Sequence, residues 1–171
     1  AEEKSYTRLF YGATCVFDHI AQQLRVSDDL KTCFPDLWKQ ILSVAWFLIL
    51  EERNSLSRFP KWAKTHKHPY HAPIPSPRSS ELFAAISEDS IQQFFSCQVK
   101  RRIETEYLAY DTTSISTFSQ GITLARRGKN KEHDELDQIN LAIVFGQTSG
   151  LPACYRYLPG NINDVSTVRQ L

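Results

Sequence analysis

An aspartate stands inside a stretch of sequence that otherwise has the composition of a β-strand. The stretch is LAYDTTSIS, residues 108–116, and the acid is Asp111. Side chains alternate along a strand, so Asp111 shares a face with Ala109, Thr113 and Ile115. An ionised carboxylate is costly to bury unless it is paired or bound to a metal ion, so the presence of Asp111 needs an explanation.

Two interpretations of Asp111 follow from the residues alone. In the first, it stands at the end of a strand and bonds to its own backbone through the hydroxyl residues that follow it. In the second, it is a metal-binding carboxylate. Mg²⁺ is a hard cation that prefers oxygen ligands and commonly takes one or two carboxylates together with water and phosphate.

A charged segment, ARRGKNKEHDELDQ at 125–138, lies between two predicted strands. Its four cations come first and are followed at once by four acids; the cations are Arg126, Arg127, Lys129 and Lys131. The segment is either a solvated loop whose charges cancel, or a DNA-binding loop that contacts phosphates beside a catalytic edge. The solvated loop is the default interpretation; the second rests on Lys and Arg supplying most of the sequence-independent affinity of proteins for DNA.

Two further groups of residues have a metal-like or catalytic spacing. His66, His68 and His71 are close in sequence, but their proline-rich loop contains no Cys or carboxylate, so we do not expect a closed metal site there. Asp164 could be a second catalytic acid. Its position directly before Val165, where a short helix is predicted to open, favours a helix N-cap instead.

Composition limits the class of protein. The 171 residues suffice for one medium domain or two small ones, and the net charge of +1 gives no global argument for nucleic acid. The four cysteines form no CxxC pair, which predicts reduced cytosolic thiols. The longest apolar run, at 41–50, is about half as long as the ~20 residues of a membrane helix, so no membrane partner is expected. Because the chain contains no Met, we expect a processed chain or a piece of a longer protein.

The order of the predicted elements indicates an α/β (α+β) fold. The first hundred residues have helical patterns, including an apolar stripe on a first helix and a long helix at about 36–53. Caps are expected at three serines, and a proline-rich irregular connection at 57–80 separates the helices. Strands follow, and then a short helix. The apolar stripe consists of Val16, Phe17, Ile20 and Leu24. The expected caps are Ser27, Ser80 and Ser87. The predicted strands are 106–116, 139–146 and 152–158. LPGN at 158–161 predicts a turn with Pro159 at its second position.

Three ordered motifs together resemble a known family. YDTTSIS, GKNKEHDELDQINLAIVFG and SGLPACYRYLPGNINDVSTV are similar to the first half of the catalytic domain of bacterial insertion-sequence transposases of the DDE type. The upstream segments YGAT, FPDLWKQILSVAWFLILEE and FFSC resemble the helical region that precedes that domain in one branch of these enzymes. The resemblance therefore extends over nearly the whole chain.

The resemblance implies a ribonuclease H-like fold and Mg²⁺-dependent DNA cleavage and strand transfer. It implies a helical N-terminal region at 1–104 and an incomplete catalytic domain at 105–171, with Asp111 as the first of three catalytic, metal-binding carboxylates. In such enzymes two metal ions activate the nucleophile and stabilise the leaving oxygen. The implied partners are transposon ends and target DNA, a homodimer is compatible with the family, and the implied location is the bacterial cytoplasm at the nucleoid.

The match is incomplete. In this branch the second acid resembles the Asp of an A-D-R-G-Y-like motif and the third is a helical Glu, and the sequence reaches Leu171 without either. The hypothesis is therefore a portion of a transposase that is inactive alone. A non-enzymatic DNA- or protein-binding remnant is the alternative. A general ribonuclease H-like nuclease, whose other acids would also lie elsewhere, is a third reading.

Overall fold

The computed structural model describes residues 7–52, 55–101, 105–128 and 136–162. The chain divides into two compact units, Ala1–Phe94 and Phe95–Leu171, and the boundary predicted at 104/105 stays a prediction. The mixed class is confirmed, since helices are followed by an antiparallel four-stranded sheet. The elements are α1 Gly12–Gln23, α2 Val26–Cys33, α3 Trp38–Leu50, a 3-10 turn Leu56–Arg58, α4 Phe59–Ala63, α5 Ser76–Ala85, α6 Glu88–Lys100, β1 Leu108–Thr117, β2 Arg126–Arg127, β3 Asp137–Gly146 and β4 Pro152–Pro159.

No helix within these described ranges is long and apolar enough to cross a membrane.

The predicted helix caps are only partly correct. Ser87 caps α6, because its Oγ accepts a hydrogen bond from the Ser90 amide at 3.2 Å. Ser27 is not a cap: α2 begins at Val26, after Arg25 in a left-handed conformation. Ser80 is not a cap either, because α5 begins at Ser76 and has Pro77 in its first turn, where the missing N–H costs no helical hydrogen bond.

The apolar stripe predicted on α1 does not form the buried face of that helix. Phe17 packs against Trp46 of α3 with ring centroids 5.3 Å apart, and the Trp46 Nε1–H donates to Asp18 at 3.1 Å. Val16 and Ile20 are exposed. Helix α1 therefore contacts α3 through Phe17, one member of the stripe, and through the hydrogen bond between Asp18 and Trp46.

The proline-rich connection is less irregular than predicted. Its first part forms α4, with Pro60 in the first turn, and its last part begins α5. The inner face of α4 carries Phe59, 1% exposed, and Trp62, which meet Phe47 of α3 with ring centroids 5.6 and 5.7 Å away. Aromatic rings at such spacings bury large apolar areas, so this cluster forms the centre of the core of unit 1.

A buried serine holds the rest of this connection against α3. The Ser43 Oγ donates to the Lys39 carbonyl at 2.7 Å and accepts from the Tyr70 amide at 3.0 Å. It also contacts Nδ1 of His68 at 2.9 Å. A hydroxyl has one donor and two acceptor positions. Because Ser43 donates its proton to the Lys39 carbonyl, it accepts from His68 Nδ1–H and from the Tyr70 amide, and all three positions are used.

The sheet of unit 2 is organised around β3. One edge of β3 pairs with β1 over its full length, from Leu108 opposite Gly146 to Thr117 opposite Asp137. On the other edge, β2 pairs with Asp137 and Gln138, and β4 pairs with the residues that follow, from Ile139 to Phe145. The three strands predicted at 106–116, 139–146 and 152–158 are thus present, and β2 is an additional short strand.

One face of this sheet buries polar side chains. Asn140, 6% exposed, accepts from the Ser114 hydroxyl at 2.9 Å and donates to the Ile162 carbonyl at 3.0 Å. Gln138 is fully buried and donates to the Gly160 carbonyl at 2.8 Å. These bonds attach the segment after β4 to the middle strand.

The turn after β4 is shifted by one residue from its predicted position. The Ile162 amide donates to the Pro159 carbonyl at 3.1 Å, which makes Pro159 the first residue of the turn rather than the second. Gly160 is required for packing, because a Cβ at that position would lie against the backbone carbonyls of Gln138 and Arg126.

Acidification is expected to weaken unit 1 through His68. Burial lowers the pKa of His68 below its ordinary value of 6.5, the neighbouring His71 lowers it further, and the Ala63 carbonyl acts in the opposite direction. Below pH 6.5 the unfolded chain takes up a proton that the folded chain resists. The contribution of His68 to stability is therefore complete above that pH and is lost as the pH falls through the lowered pKa of the folded state.

Denaturant midpoints measured above and below pH 6.5 test this expectation, with tryptophan emission as the readout, because all three tryptophans lie in unit 1. His68→Gln should show a smaller loss of stability on acidification than the unchanged protein. The exposed His19, changed to Gln, serves as the control and should keep the full loss. An equal loss in His68→Gln and the unchanged protein would contradict the assignment.

Candidate functional site

Asp111 lies in the interior of β1. It is exposed, it stands directly opposite Ile143 of β3, and its Oδ1 accepts a hydrogen bond from the Thr112 amide at 2.8 Å. The predicted position at a strand end is wrong, because β1 continues to Thr117 with its pairing intact. The bond to the local backbone is present, but it uses an amide rather than a hydroxyl.

The neighbours of Asp111 on the strands beside it are apolar or aromatic. Directly paired residues share a face of the sheet, so Asp111, Ile143 and Tyr155 form one row across three strands. Tyr155 meets Phe95 of α6 and Tyr157 edge-on, with ring centroids 5.6 and 5.4 Å away. The carboxylate therefore stands at the border of an apolar surface, next to solvent.

The metal-binding capacity of this position is limited. The described part of the chain contains no group of three or more His, Cys, Asp or Glu side chains placed to hold a metal ion. No described cation forms an ion pair with Asp111. Thr113 lies two residues along the same face and could add a hydroxyl oxygen. One carboxylate and one hydroxyl do not fit the requirements of a two-metal site.

The two arginines proposed to contact DNA form β2 rather than a loop. Arg126 pairs with Gln138, Arg127 pairs with Asp137, and both arginines are exposed. The Arg126 guanidinium donates to the Ala125 carbonyl at 2.7 Å. Lys129 and Lys131 of the same proposed DNA-binding set lie outside the described residues.

The sheet places Asp111 and the arginines at different positions along β3. Asp111 is opposite Ile143 and Arg126 is opposite Gln138. Five residues of strand separate these two positions, which corresponds to about 17 Å. Arg127 shares the face of Asp111, whereas Arg126 is on the other face. The candidate groups thus lie on one sheet without direct contact.

The other candidates have structural roles or lie outside the described residues. His68 is 2% exposed and bonded to Ser43, and His66 stacks on Trp62 with centroids 4.6 Å apart. The three histidines are not grouped with further ligands in the part of the chain described here. The N-cap predicted at Asp164 lies outside the described ranges.

Two polar features were not anticipated from the sequence. Gln138 and Asn140 alternate with apolar residues at the start of β3, and this period of two was a usable signal for a polar inner face. Glu106 accepts hydrogen bonds from the Thr148 and Ser149 amides at 3.2 and 2.9 Å. It fixes the turn between β3 and β4 to the start of β1, and no local pattern indicates that contact.

Comparison with protein-family models, with curated proteins and with solved structures finds no match to this chain.

Substitution separates a carboxylate retained for a ligand from a residue needed for folding. Asp111→Asn keeps the oxygen that accepts from Thr112 and removes a charge beside apolar residues, so stability should stay within about 0.5 kcal/mol or rise slightly. Asn140→Ala leaves Ser114 and the Ile162 carbonyl without their partner and should cost about 1–3 kcal/mol.

Denaturant melts of both variants in chelator, followed by circular dichroism at constant slope, measure this difference. If Asp111→Asn costs as much as Asn140→Ala, Asp111 has a structural role and the ligand interpretation loses its support.

Proposed function

We propose that this chain is a portion of a DNA transposase of the DDE type, with Asp111 as the first catalytic carboxylate of a ribonuclease H-like domain. The parent enzyme would cut transposon ends and join them to target DNA in a reaction that depends on Mg²⁺. The observation that carries the proposal is the position of Asp111: an exposed carboxylate in the interior of an edge strand that pairs with β3 over its whole length.

The cost of placing an acid at this position supports a functional role. Aspartate is among the residues that strands disfavour, and the row opposite Asp111 consists of Ile143 and Tyr155. An apolar side chain at position 111 would instead extend the apolar surface that Ile143 and Tyr155 form. The pairing of β1 with β3 continues before and after Asp111, which fixes the face of the sheet on which its carboxylate stands, as a metal ligand requires.

The order of elements supports the proposed domain. Six helices precede a set of antiparallel strands in the described chain, as expected for a helical region followed by the start of the catalytic domain. Asp111 lies on the first strand of this set, where the resemblance requires the first acid. The sheet therefore presents the carboxylate in the way that the proposal needs.

The metal requirement limits what this chain could do by itself. When bound, Mg²⁺ would supply charge stabilisation and an activated nucleophile. Asp111 would contribute one ligand, and the other two acids would come from parts of the parent enzyme that this sequence does not include. We therefore expect the chain alone to be inactive in DNA cleavage.

A non-enzymatic remnant that binds DNA or protein is the second candidate. It is favoured by the lack of a three-ligand group among the described residues. DNA binding is shared by the transposase and by a remnant of the DNA-binding kind, and Arg126 and Arg127 are the described cations assigned to it.

The salt dependence of DNA binding tests this shared property. Each phosphate contact contributes about 0.9 to the slope of log affinity against log salt for duplex DNA, so Arg126→Gln/Arg127→Gln should lower the slope by about 1.8. Lys31→Gln/Lys39→Gln removes the same charge from exposed lysines that lie near the Trp38 ring and should leave the slope unchanged.

Fluorescence anisotropy with a labelled duplex at several salt concentrations gives the slopes. No binding at low salt would contradict a DNA function of either kind. Binding with the same slope in Arg126→Gln/Arg127→Gln would remove these two arginines from the proposed contact.

A further inference from the structure

The positive charge of unit 1 is concentrated in the proline-rich connection. Residues 55–80 contain five Lys or Arg and no Asp or Glu, although the net charge of the chain is only +1. Four of the cations recur every third residue, at Arg58, Lys61, Lys64 and Lys67, and all four are exposed. Such a local basic stretch is the electrostatic pattern expected of a surface that meets a polyanion.

An open pocket of about 260 Å³ lies at the start of this stretch. Its lining includes Arg58, Lys61, Thr65 and His66, with Glu51 as the single carboxylate among its described lining residues. The inner side chains of α4 are buried in the core, so the cations are directed away from it. The pocket therefore combines two exposed positive groups with the Thr65 hydroxyl, which donates its own proton to the Trp62 carbonyl at 3.0 Å.

An exposed aromatic ring lies beside this pocket, in contact with His66 of the lining. Phe10 is 70% exposed. Its amide donates to the Thr65 carbonyl at 2.7 Å, and its carbonyl accepts from the Lys67 amide at 2.9 Å. The backbone is thus held at both sides while the ring remains in water. Beside a basic stretch, an exposed aromatic ring offers a face on which a nucleic-acid base can stack.

Phe10 ends a row of three rings. The Phe10 and His66 centroids are 5.2 Å apart, and His66 stacks on Trp62 at 4.6 Å with the planes 10° apart. We call Phe10, Arg58, Lys61, Lys64 and His66 the basic aromatic surface. Single-stranded nucleic acids are held by this combination, in which cations follow the backbone and bases stack on aromatic rings.

We propose that the basic aromatic surface binds a single-stranded segment of DNA, with phosphates on Arg58, Lys61 and Lys64 and an unpaired base stacked on Phe10. The choice of DNA as the polyanion rests on the proposed function. The preference for a single strand rests on Phe10, because a base within a duplex has no free face for its ring. An acidic peptide would satisfy the cations but would leave the ring without a role.

Two substitutions of one residue test the stacking contact. Phe10→Leu keeps an apolar side chain without an aromatic face and should weaken binding of a labelled thymidine oligonucleotide about tenfold. Phe10→Trp keeps the aromatic face and should bind at least as well as the unchanged protein. Equal affinity in all three proteins overturns the stacking contact.

The charge contribution has its own matched control. Arg58→Gln/Lys61→Gln should lower the salt slope for the single strand by about 1.4, since each contact contributes about 0.7. Lys31→Gln/Lys39→Gln removes the same charge elsewhere in unit 1 and should not change it. Thermal melts followed by tryptophan emission confirm that the variants remain folded, because every changed side chain is exposed.

The remaining outcomes separate this inference from the proposed function. If the thymidine oligonucleotide does not bind while duplex DNA binds through Arg126 and Arg127, the inference is overturned and the proposed function is left intact. If the unchanged protein binds neither single-stranded nor duplex DNA, both the inference and the proposed function are contradicted. If polyglutamate displaces the labelled oligonucleotide as effectively as unlabelled oligonucleotide does, the assignment of DNA is overturned and an acidic protein partner is favoured.

Discussion

The pairing of β3 along both of its edges is the constraint on which the candidate site depends. β1 covers one edge, and β2 and β4 share the other. A slip of one residue between β1 and β3 would move every side chain of β1 to the opposite face. Asp111 would then enter the polar inner face, and Ser114 would lose Asn140. The bond between Ser114 and Asn140 therefore helps to fix the register, and the register fixes the face on which the carboxylate stands.

The elements that the sequence predicted well are those with a local signal. β1, β3 and β4 are rich in β-branched and apolar residues, and the long apolar run gave α3 within a few residues. The errors have specific causes. Ser27 and Ser80 are good capping residues, but a left-handed Arg25 and a first-turn Pro77 allowed their helices to begin earlier. β2 exists only because β3 provides a partner strand, so no local pattern could predict it.

The candidate site was predictable to a similar extent. The position of Asp111 within a strand follows from the residues around it. The contacts that define its surroundings join distant parts of the chain: Glu106 with Ser149, and Phe95 with Tyr155. The basic aromatic surface needed the structure for the same reason, because Phe10 reaches His66 only through the backbone pairing of two separate segments.

The central claim is that Asp111 is held in place to bind a divalent cation. Titration of ¹⁵N-labelled protein with Mn²⁺ tests it most directly, because the ion broadens the amide resonances nearest to its ligands. The account predicts that Asp111 and Thr113 broaden at lower Mn²⁺ than exposed carboxylates elsewhere, such as Asp89 of α6. If Asp111 broadens no earlier than Asp89, its carboxylate is an ordinary surface acid and the account is contradicted.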